Sequence, residues 1–414
     1  MLERSYAWPE GHWDWYQHLA FKHGIRVGEM AFVGGQVDKT PSGEPLRAYD
    51  LASQTEVVIR HIDTVLKEFG AGLGHVVKLV AFYANDGSVD EPAFLERIGQ
   101  HVLSHTDALE RDQLAITLVP LPCLALPGIM VEIEAIAVLD REGERRERIA
   151  ANPPALSPMP PPFCHGIRCG DHVWTSAQPV PSLPRRMPSP GDLSAQTDVA
   201  MAHLKQVLDA LGAELDDIVN LRTWYRGDGT RGTWEPAARR RASYFDAPGP
   251  AVSALPTPNL PGDAMTRIDA WAMRGTDGSR PARTYADIGE AWQWPLDVPH
   301  VTGLQCGDMI FVGQQVALDT KGQPVAPGDL MEQTRQVMAA TRTVLASFGL
   351  TLDDMVKQNS FYQGEADPET IVSNQRYRSS FYTEPAGAST GVPLPFFPLE
   401  ALMVSVETVA MARH

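Results

Sequence analysis

Four cysteines in 414 residues (Cys123, Cys164, Cys169 and Cys306) are too few for a disulfide framework, and the absence of any Cys-x-x-Cys pair excludes the usual zinc and thiol-redox spacings. Positive charge is also scarce. Lys and Arg total 35 against 51 Asp and Glu, and the net charge of −16 gives a surface that repels phosphate backbones and anionic headgroups. The short basic run RRR at 239–241 reads as a solvated face, not a nucleic-acid site. No run of about 18 apolar residues is present to span a bilayer, and the leading MLERSYAWPEGHWDWYQ has no apolar signal core. A soluble, cytoplasmic protein without nucleic-acid or membrane partners is therefore expected. Neither a Gly-x-Ser-x-Gly elbow nor a Gly-x-x-x-x-Gly-Lys-Ser/Thr loop occurs. The string GAGLG at 70–74 follows a helical pattern where a dinucleotide loop would follow a strand, so it reads as a cap. His12, His18 and His23 are irregularly spaced and lack acidic or cysteine partners at ligand spacing. No metal and no cofactor are expected.

What is present is repetition. The pattern Asp-Leu-x-x-Gln-Thr occurs as DLASQT (50–55), DLSAQT (192–197) and DLMEQT (329–334), about 140 residues apart, a period in the range of whole small domains. The length suggests the same number, about three domains. Before each copy stands a β-prone run: MAFVGGQV (30–37), HVWTSAQPV (172–180) and MIFVGQQV (309–316). The marked Asp is a predicted N-cap, Val58, Ile62, Val65 and Phe69 follow at helical spacing, and Gly70, Gly212 and Gly349 end the three helices. A second strand is predicted at VVKLVAFYA (76–84), IVNLRTWYR (218–226) and MVKQNSFYQ (355–363). After a shorter helix comes a closing strand at IMVEIEAIAVL (129–139), AMTRIDAWAM (264–273) and LMVSVETVAM (402–411). Each unit thus reads as β-β-α-β-α-β, an α+β layer with helices on one face of a sheet. The expected units span 1–140, 160–274 and 292–414. Segments 141–162 and 275–291 have the composition of linkers.

The run FVGGQV, the DLxxQT helix start, VVKLVAFYA and VEIEAIA, in this order and three times over, resemble the RidA (YjgF-like) family. The match is strongest in the first and third units. The resemblance implies a chorismate-mutase-like fold, a trimer whose three sheets build a central β-barrel with helices outside, and small-molecule sites in clefts between subunits. One chain with three units then implies an intramolecular pseudo-trimer, free to keep one working cleft and let the others drift.

The family's imine deaminases hold the substrate carboxylate with an arginine about fourteen residues before VEIEAIA. That position holds Thr117, Ser253 and Thr390 here, and a hydroxyl does not replace a bidentate guanidinium. The family's acid falls on Glu132, Arg267 and Ser405, so one cleft keeps it. Glu132 is the candidate acid/base; its bland alternative is an outward position of an alternating strand. Arg267 is a candidate relocated clamp or a solvated strand arginine. The aromatic position above the cleft falls on Phe21, Phe163 and His300, and His300 is either a group titrating near neutral pH or an idle loop histidine. The resemblance implies that backbone amides at Gly34, Ser176 and Gly313 bind an oxyanion or a carboxylate. Tyr83, Tyr225 and Tyr362 recur in every unit, which favours packing. The tryptophan-rich segments WDWYQH (13–18) and WQWPLD (292–297) are placed to cover a cleft mouth or to pack. The expected activity is cofactor-free hydrolytic C–N cleavage of a small, linear or cyclic metabolite, of imine or enamine deaminase type. The alternatives are a lyase or ring-opening hydrolase in the same cleft, or a non-catalytic ligand-binding module. A ribonuclease conflicts with the acidic balance.

Overall fold

Asp50, Asp192 and Asp329 each open a long helix by accepting from the amide of Ser53, Ala195 or Glu332 at 3.0, 2.9 and 3.0 Å. The glutamine of the motif performs a second task. Gln54 donates to Gly128 O and accepts from Met130 N, both at 2.7 Å, and Gln196 and Gln333 grip Asp263–Met265 and Ala401–Met403 in the same way. The threonine returns its hydroxyl to the carbonyl four residues earlier. The repeated hexapeptide is thus a cap joined to a clamp that fixes the loop leading into the closing strand. Gly70, Gly212 and Gly349 end these helices at φ of 71°, 69° and 74°, where a side chain would be strained.

The computed structural model describes residues 2–14, 18–109, 112–139, 142–179, 189–289, 291–292, 294–364 and 367–412. Trp15, Tyr16 and Gln17 of the first tryptophan-rich segment, Gln293 of the second, and Val180 at the end of an expected strand lie outside the described residues. The first unit contains β1 (Arg4–Ala7), β2 (Phe21–Lys22), β3 (Gly24–Val27), β4 (Met30–Gln36), α1 (Leu51–Lys67), β5 (Val76–Ala84), α2 (Glu91–Ser104), β6 (Leu114–Leu121) and β7 (Val131–Val138). The stretch before the second unit carries β8 (Ile149–Ala151), and the second contains β9 (Phe163–Cys164), β10 (Gly166–Cys169), β11 (His172–Thr175), α3 (Leu193–Ala210), β12 (Ile218–Tyr225), α4 (Arg231–Ala242), β13 (Ala251–Pro256) and β14 (Thr266–Met273). The stretch before the third unit carries β15 (Arg283–Tyr285), and the third contains β16 (Gly303–Cys306), β17 (Met309–Val316), α5 (Leu330–Ala346), β18 (Met355–Gln363), α6 (Pro368–Ser379), β19 (Ala386–Leu394) and β20 (Val404–Met411). None of the helices is long and apolar enough to cross a membrane, among the described residues.

Besides the short strands at the sheet edges, the expected β-β-α-β-α-β order omits one long strand in each unit. β6, β13 and β19 run parallel to β5, β12 and β18, whose other side pairs antiparallel with the closing strand. β6 is buried along its whole length, so it shows no alternation, and AVSALP and AGASTGVPL are built of small residues and proline that read as loop. The expected linkers also carry structure, since β8 pairs with β10 and β15 with β16.

The sheet orders are β1-β3-β4-β7-β5-β6-β9, β13-β12-β14-β11-β10-β8 and β15-β16-β17-β20-β18-β19-β2. The parallel edge of the first sheet is thus extended by β9 of the second unit, and that of the third by β2 of the first. The second edge meets the third unit through a parallel bridge, Ala251 to Val301. One apolar cluster draws Ile25 and Phe32, Ile167 and Trp174, and Leu304 and Phe311 from all three sheets.

Where the sheets meet lie six charged side chains. Glu134 accepts from Lys357 at 2.7 Å, Thr390 at 2.7 Å and Asn359 at 2.9 Å, and Arg222 stands 3.4 Å away. Arg222 also meets Glu407 at 2.8 Å; Lys78 stands 3.8 Å from Asp269, and Thr117 joins both. Three anions face three cations, so the buried set is neutral. Burial opposes the charge of Glu134, yet Lys357 and Arg222 outweigh it and hold the carboxyl down at about 2.

Removing one member of such a set leaves its partners buried and uncompensated. Glu134→Ala is expected to destabilise the chain by about 3–5 kcal/mol, against about 1 kcal/mol for loss of the cap in Asp329→Ala. Chemical denaturation of both variants measures the contrast, and equal effects would show that the charged set is not a keystone.

Candidate active site

At each junction the bend of one unit's second strand faces the parallel strand and second helix of another. At the first and third units, β4 bends at Gly34-Gly35 against Ser389 and Thr390 of β19; Gly35 N donates to Thr390 Oγ1 at 2.9 Å. The glycines are required by proximity. A Cβ on Gly34 would lie 2.7 Å from Ser389 O, and one on Gly35 would lie 1.9 Å from Glu132 Oε1.

Glu132, on β7, therefore points beneath the bend into a cavity of about 30 Å³ that is also lined by Phe21, His23, Gln375 and Arg378. Burial pushes its carboxyl up to about 8, against the pull of Lys39 and Lys357, so it is largely protonated at neutral pH. Arg378 enters from α6. Its Nη1 donates to Gln358 Oε1 at 2.6 Å and Ser389 Oγ at 2.9 Å, and its guanidinium lies 4.9 Å from the Phe21 ring centre. Among the described residues no carboxylate forms an ion pair with it. Trp8 and Trp13 cover this cavity, and Trp13 is fixed by its Nε1 donating to Gln36 at 3.1 Å. The buried Tyr362 hydroxyl has no hydrogen-bond partner among the described residues and is raised by burial and by Glu132.

The junction of the third and second units holds a cavity of about 90 Å³. Gln314 stands where the first unit has Gly35, and Ser405 stands where it has Glu132. Serine at that place is short enough to leave room for the longer residue. Arg241 enters from α4 as Arg378 does from α6, and His300 lines the opposite side. Burial, followed by the charge of Arg241, pushes His300 down to about 3, so the expectation of a group titrating near neutrality is overturned. His300 and Glu132 also line different cavities, so they do not form one catalytic pair.

The remaining junction, of the second and first units, is closed by charge. Arg267 occupies the acid position and forms a bidentate pair with Glu91 of α2, one arm at 2.7 Å, while Tyr83 also donates to Glu91. Arg267 is thus neither solvated nor a substrate clamp. Glu91 takes both its donor arms.

Other expected substrate-binding positions are also corrected. Thr117 and Thr390 turn inward and serve Asp269 and Glu134 of the charged set. Ser253 is buried on β13, paired in register with Arg222 of the charged set. Ser176 donates to Cys164 O at 2.6 Å and accepts from Ile116 N at 2.9 Å, which ties the first two units. Phe163 is fully buried in the first unit's core. Of the expected catalytic and substrate-binding side chains, Phe21 and Glu132 line the first of these two cavities and His300 the second. The sequence reading missed Arg241 and Arg378. Their signal was the recurrence of Arg-x-Ser-aromatic-aromatic in RASYF and RSSFY near the ends of two short helices.

The architecture defines a class: tandem α+β units with cavities at their junctions. The family model described as Endoribonuclease L-PSP matches residues 16–139 and 296–412, and the chain belongs to that family. Among its relatives, a RutC family protein of Pyrococcus horikoshii is 23% identical over 112 residues, 27% of this chain and 86% of that protein. The 2-iminobutanoate/2-iminopropanoate deaminase of Escherichia coli K12 is 26% identical over 113 residues, 27% of this chain and 88% of the enzyme. A crystal structure of a chorismatase superposes with a TM-score of 0.56 at 14% identity, over 81% of this chain and 93% of that one, which is a likeness of fold.

A carboxyl raised on folding stabilises the protein below its unfolded value, and that contribution is lost as pH rises through the folded one. The stability difference between the native chain and Glu132→Gln should therefore shift against the native chain from pH about 4.5 to about 8, with a slope approaching about 1.4 kcal/mol per pH unit. Urea unfolding at several pH values measures it; a flat difference would place the titration elsewhere.

Proposed function

We propose that the chain is a cofactor-free enzyme of RidA type, an intramolecular pseudo-trimer around a central β-barrel, with units at 1–140, 160–274 and 292–414 and its working cleft between the first and third. The observation that carries the reading is that Glu132, held protonated by burial, and Arg378, without a carboxylate partner, face the same cavity from different units. Together they suit a small imine that carries a carboxylate. Arg378 binds the carboxylate, and Phe21 supports the guanidinium from behind. Water adds to the imine carbon while Glu132 gives its proton to the imine nitrogen. The carboxylate so formed takes a proton from the adding water, then gives it to the amine as the C–N bond breaks; the carboxylate left by that transfer takes the proton of the carbinol hydroxyl as the carbonyl forms, so that a ketone and ammonia leave and Glu132 is protonated again. The E. coli deaminase, whose name states this reaction class, is a relative over one unit's length, which supports the reading.

The chorismatase likeness favours a second reading, acid-assisted cleavage of a cyclic carboxylate in the same cleft. It extends over more than one unit, and the same proton donor and clamp serve it.

Ammonia release from freshly generated 2-iminopropanoate and from larger and cyclic imines tests the first reading. Glu132→Gln is expected to lower kcat by about 10²–10⁴, and Arg378→Lys to raise KM chiefly, because a point charge replaces a bidentate fork. Ammonia release unchanged in Glu132→Gln would remove the proton donor from the mechanism. Release absent for every imine, with turnover of a cyclic carboxylate such as chorismate, would favour the second reading.

A further inference from the structure

The cavity between the second and third units contains a charge without a partner. Arg241 is 5% exposed, and among the described residues its guanidinium makes no hydrogen bond or ion pair. The comparison with Arg378 shows why. Gln358 and Ser389, which satisfy Arg378, are replaced in the second unit by Leu221 and Val252, and hydrocarbon cannot accept from a guanidinium. Burial lowers Arg241 only to about 10, so it stays a cation at neutral pH. Several more polar groups around the same cavity lack partners among the described residues: the Tyr225 hydroxyl, Thr223 Oγ1, His300 Nε2 and Gln314 Nε2. They come from the second unit and from the third. Isolated buried polar atoms are uncommon, and several converging on one void with a cation mark a place where a ligand supplies what the protein does not.

The rest of the wall selects for hydrocarbon. Trp234, Leu193, Val252, Trp294 and Val298 surround the space. Its volume is about 90 Å³, and an apolar cavity of about 150 Å³ accepts benzene; since this one opens to solvent, a single ring enters with its edge at the mouth. Among the described residues no carboxyl group lines it, and Ser405 stands at the acid position.

We propose that this cleft is a second ligand site, separate from the Glu132 cavity, which binds a small aromatic or alicyclic monocarboxylate without transforming it. The carboxylate sits on Arg241, within reach of the Tyr225 and Thr223 hydroxyls, and the ring packs between Trp234 and Trp294. Because its walls come from two units, the bound ligand links the second to the third. The proposal stands independently of the reaction assigned to the Glu132 cleft.

Calorimetric titration of the full chain with benzoate, cyclohexanecarboxylate and benzamide tests it. Saturable binding of both carboxylates is expected, with benzamide weaker by on the order of tenfold or more. Arg241→Met should weaken benzoate by a similar factor, and Arg378→Met should leave it within about twofold. Ala254→Leu keeps the arginine and fills the cavity, and it decides the matter if Arg241→Met does not fold; it should also abolish binding. Benzamide binding as tightly as benzoate, affinity unchanged in Ala254→Leu, loss in Arg378→Met instead, or no heat for either carboxylate would each overturn the proposal.

Discussion

The neutral set of six charges at the meeting of the sheets is the constraint on which the other features rest. Lys78, Arg222 and Lys357 face Glu134, Asp269 and Glu407 away from water, and a buried charge is tolerated only when its partner is placed with small error. Each contact in the set crosses a sheet boundary. Arg222 of the second unit holds carboxylates of the first and third, and Lys357 of the third holds Glu134 of the first. A shift of one unit would break several pairs together. The set therefore fixes the register of the three sheets, and through it the width of every cleft at their outer edges.

With that frame fixed, the clefts diverged by exchange of charge and volume. Where the acid stayed, as Glu132, the opposing strand keeps Gly35, whose bare Cα leaves space for the carboxyl. Where the acid became Ser405, the glycine position became Gln314, and a larger apolar void remains beside Arg241. Where the acid became Arg267, Glu91 rose from the neighbouring helix to neutralise it and the junction closed. The three outcomes follow from one rule: an ionised group in a dry junction needs a partner, from the protein or from a ligand.

Much of the fold was legible because it is written in local patterns. The Asp cap, the helical spacing of Val58, Ile62 and Val65, and Gly70 beyond the last turn act within one element, so sequence shows them directly. β6, β13 and β19 escaped because a parallel strand buried on both faces has no alternation to read. The site was less legible. The alternating pattern of β7 left open whether Glu132 faces a cleft or solvent and gave no sign of the charged set around Glu134, whereas the structure buries both carboxylates.

The sequence by itself determined that one α+β unit recurs, how each helix begins and ends, and that the acid position survives in one copy. The tertiary structure alone decided which units share a cleft, because the pairings of β2 with β19 and β9 with β6 join residues far apart in the chain. It also decided that the arginines facing the clefts come from the second helices, and that Arg267 is neutralised. Those facts depend on long-range proximity and on the removal of water, and neither is encoded in the spacing of residues along one strand or helix.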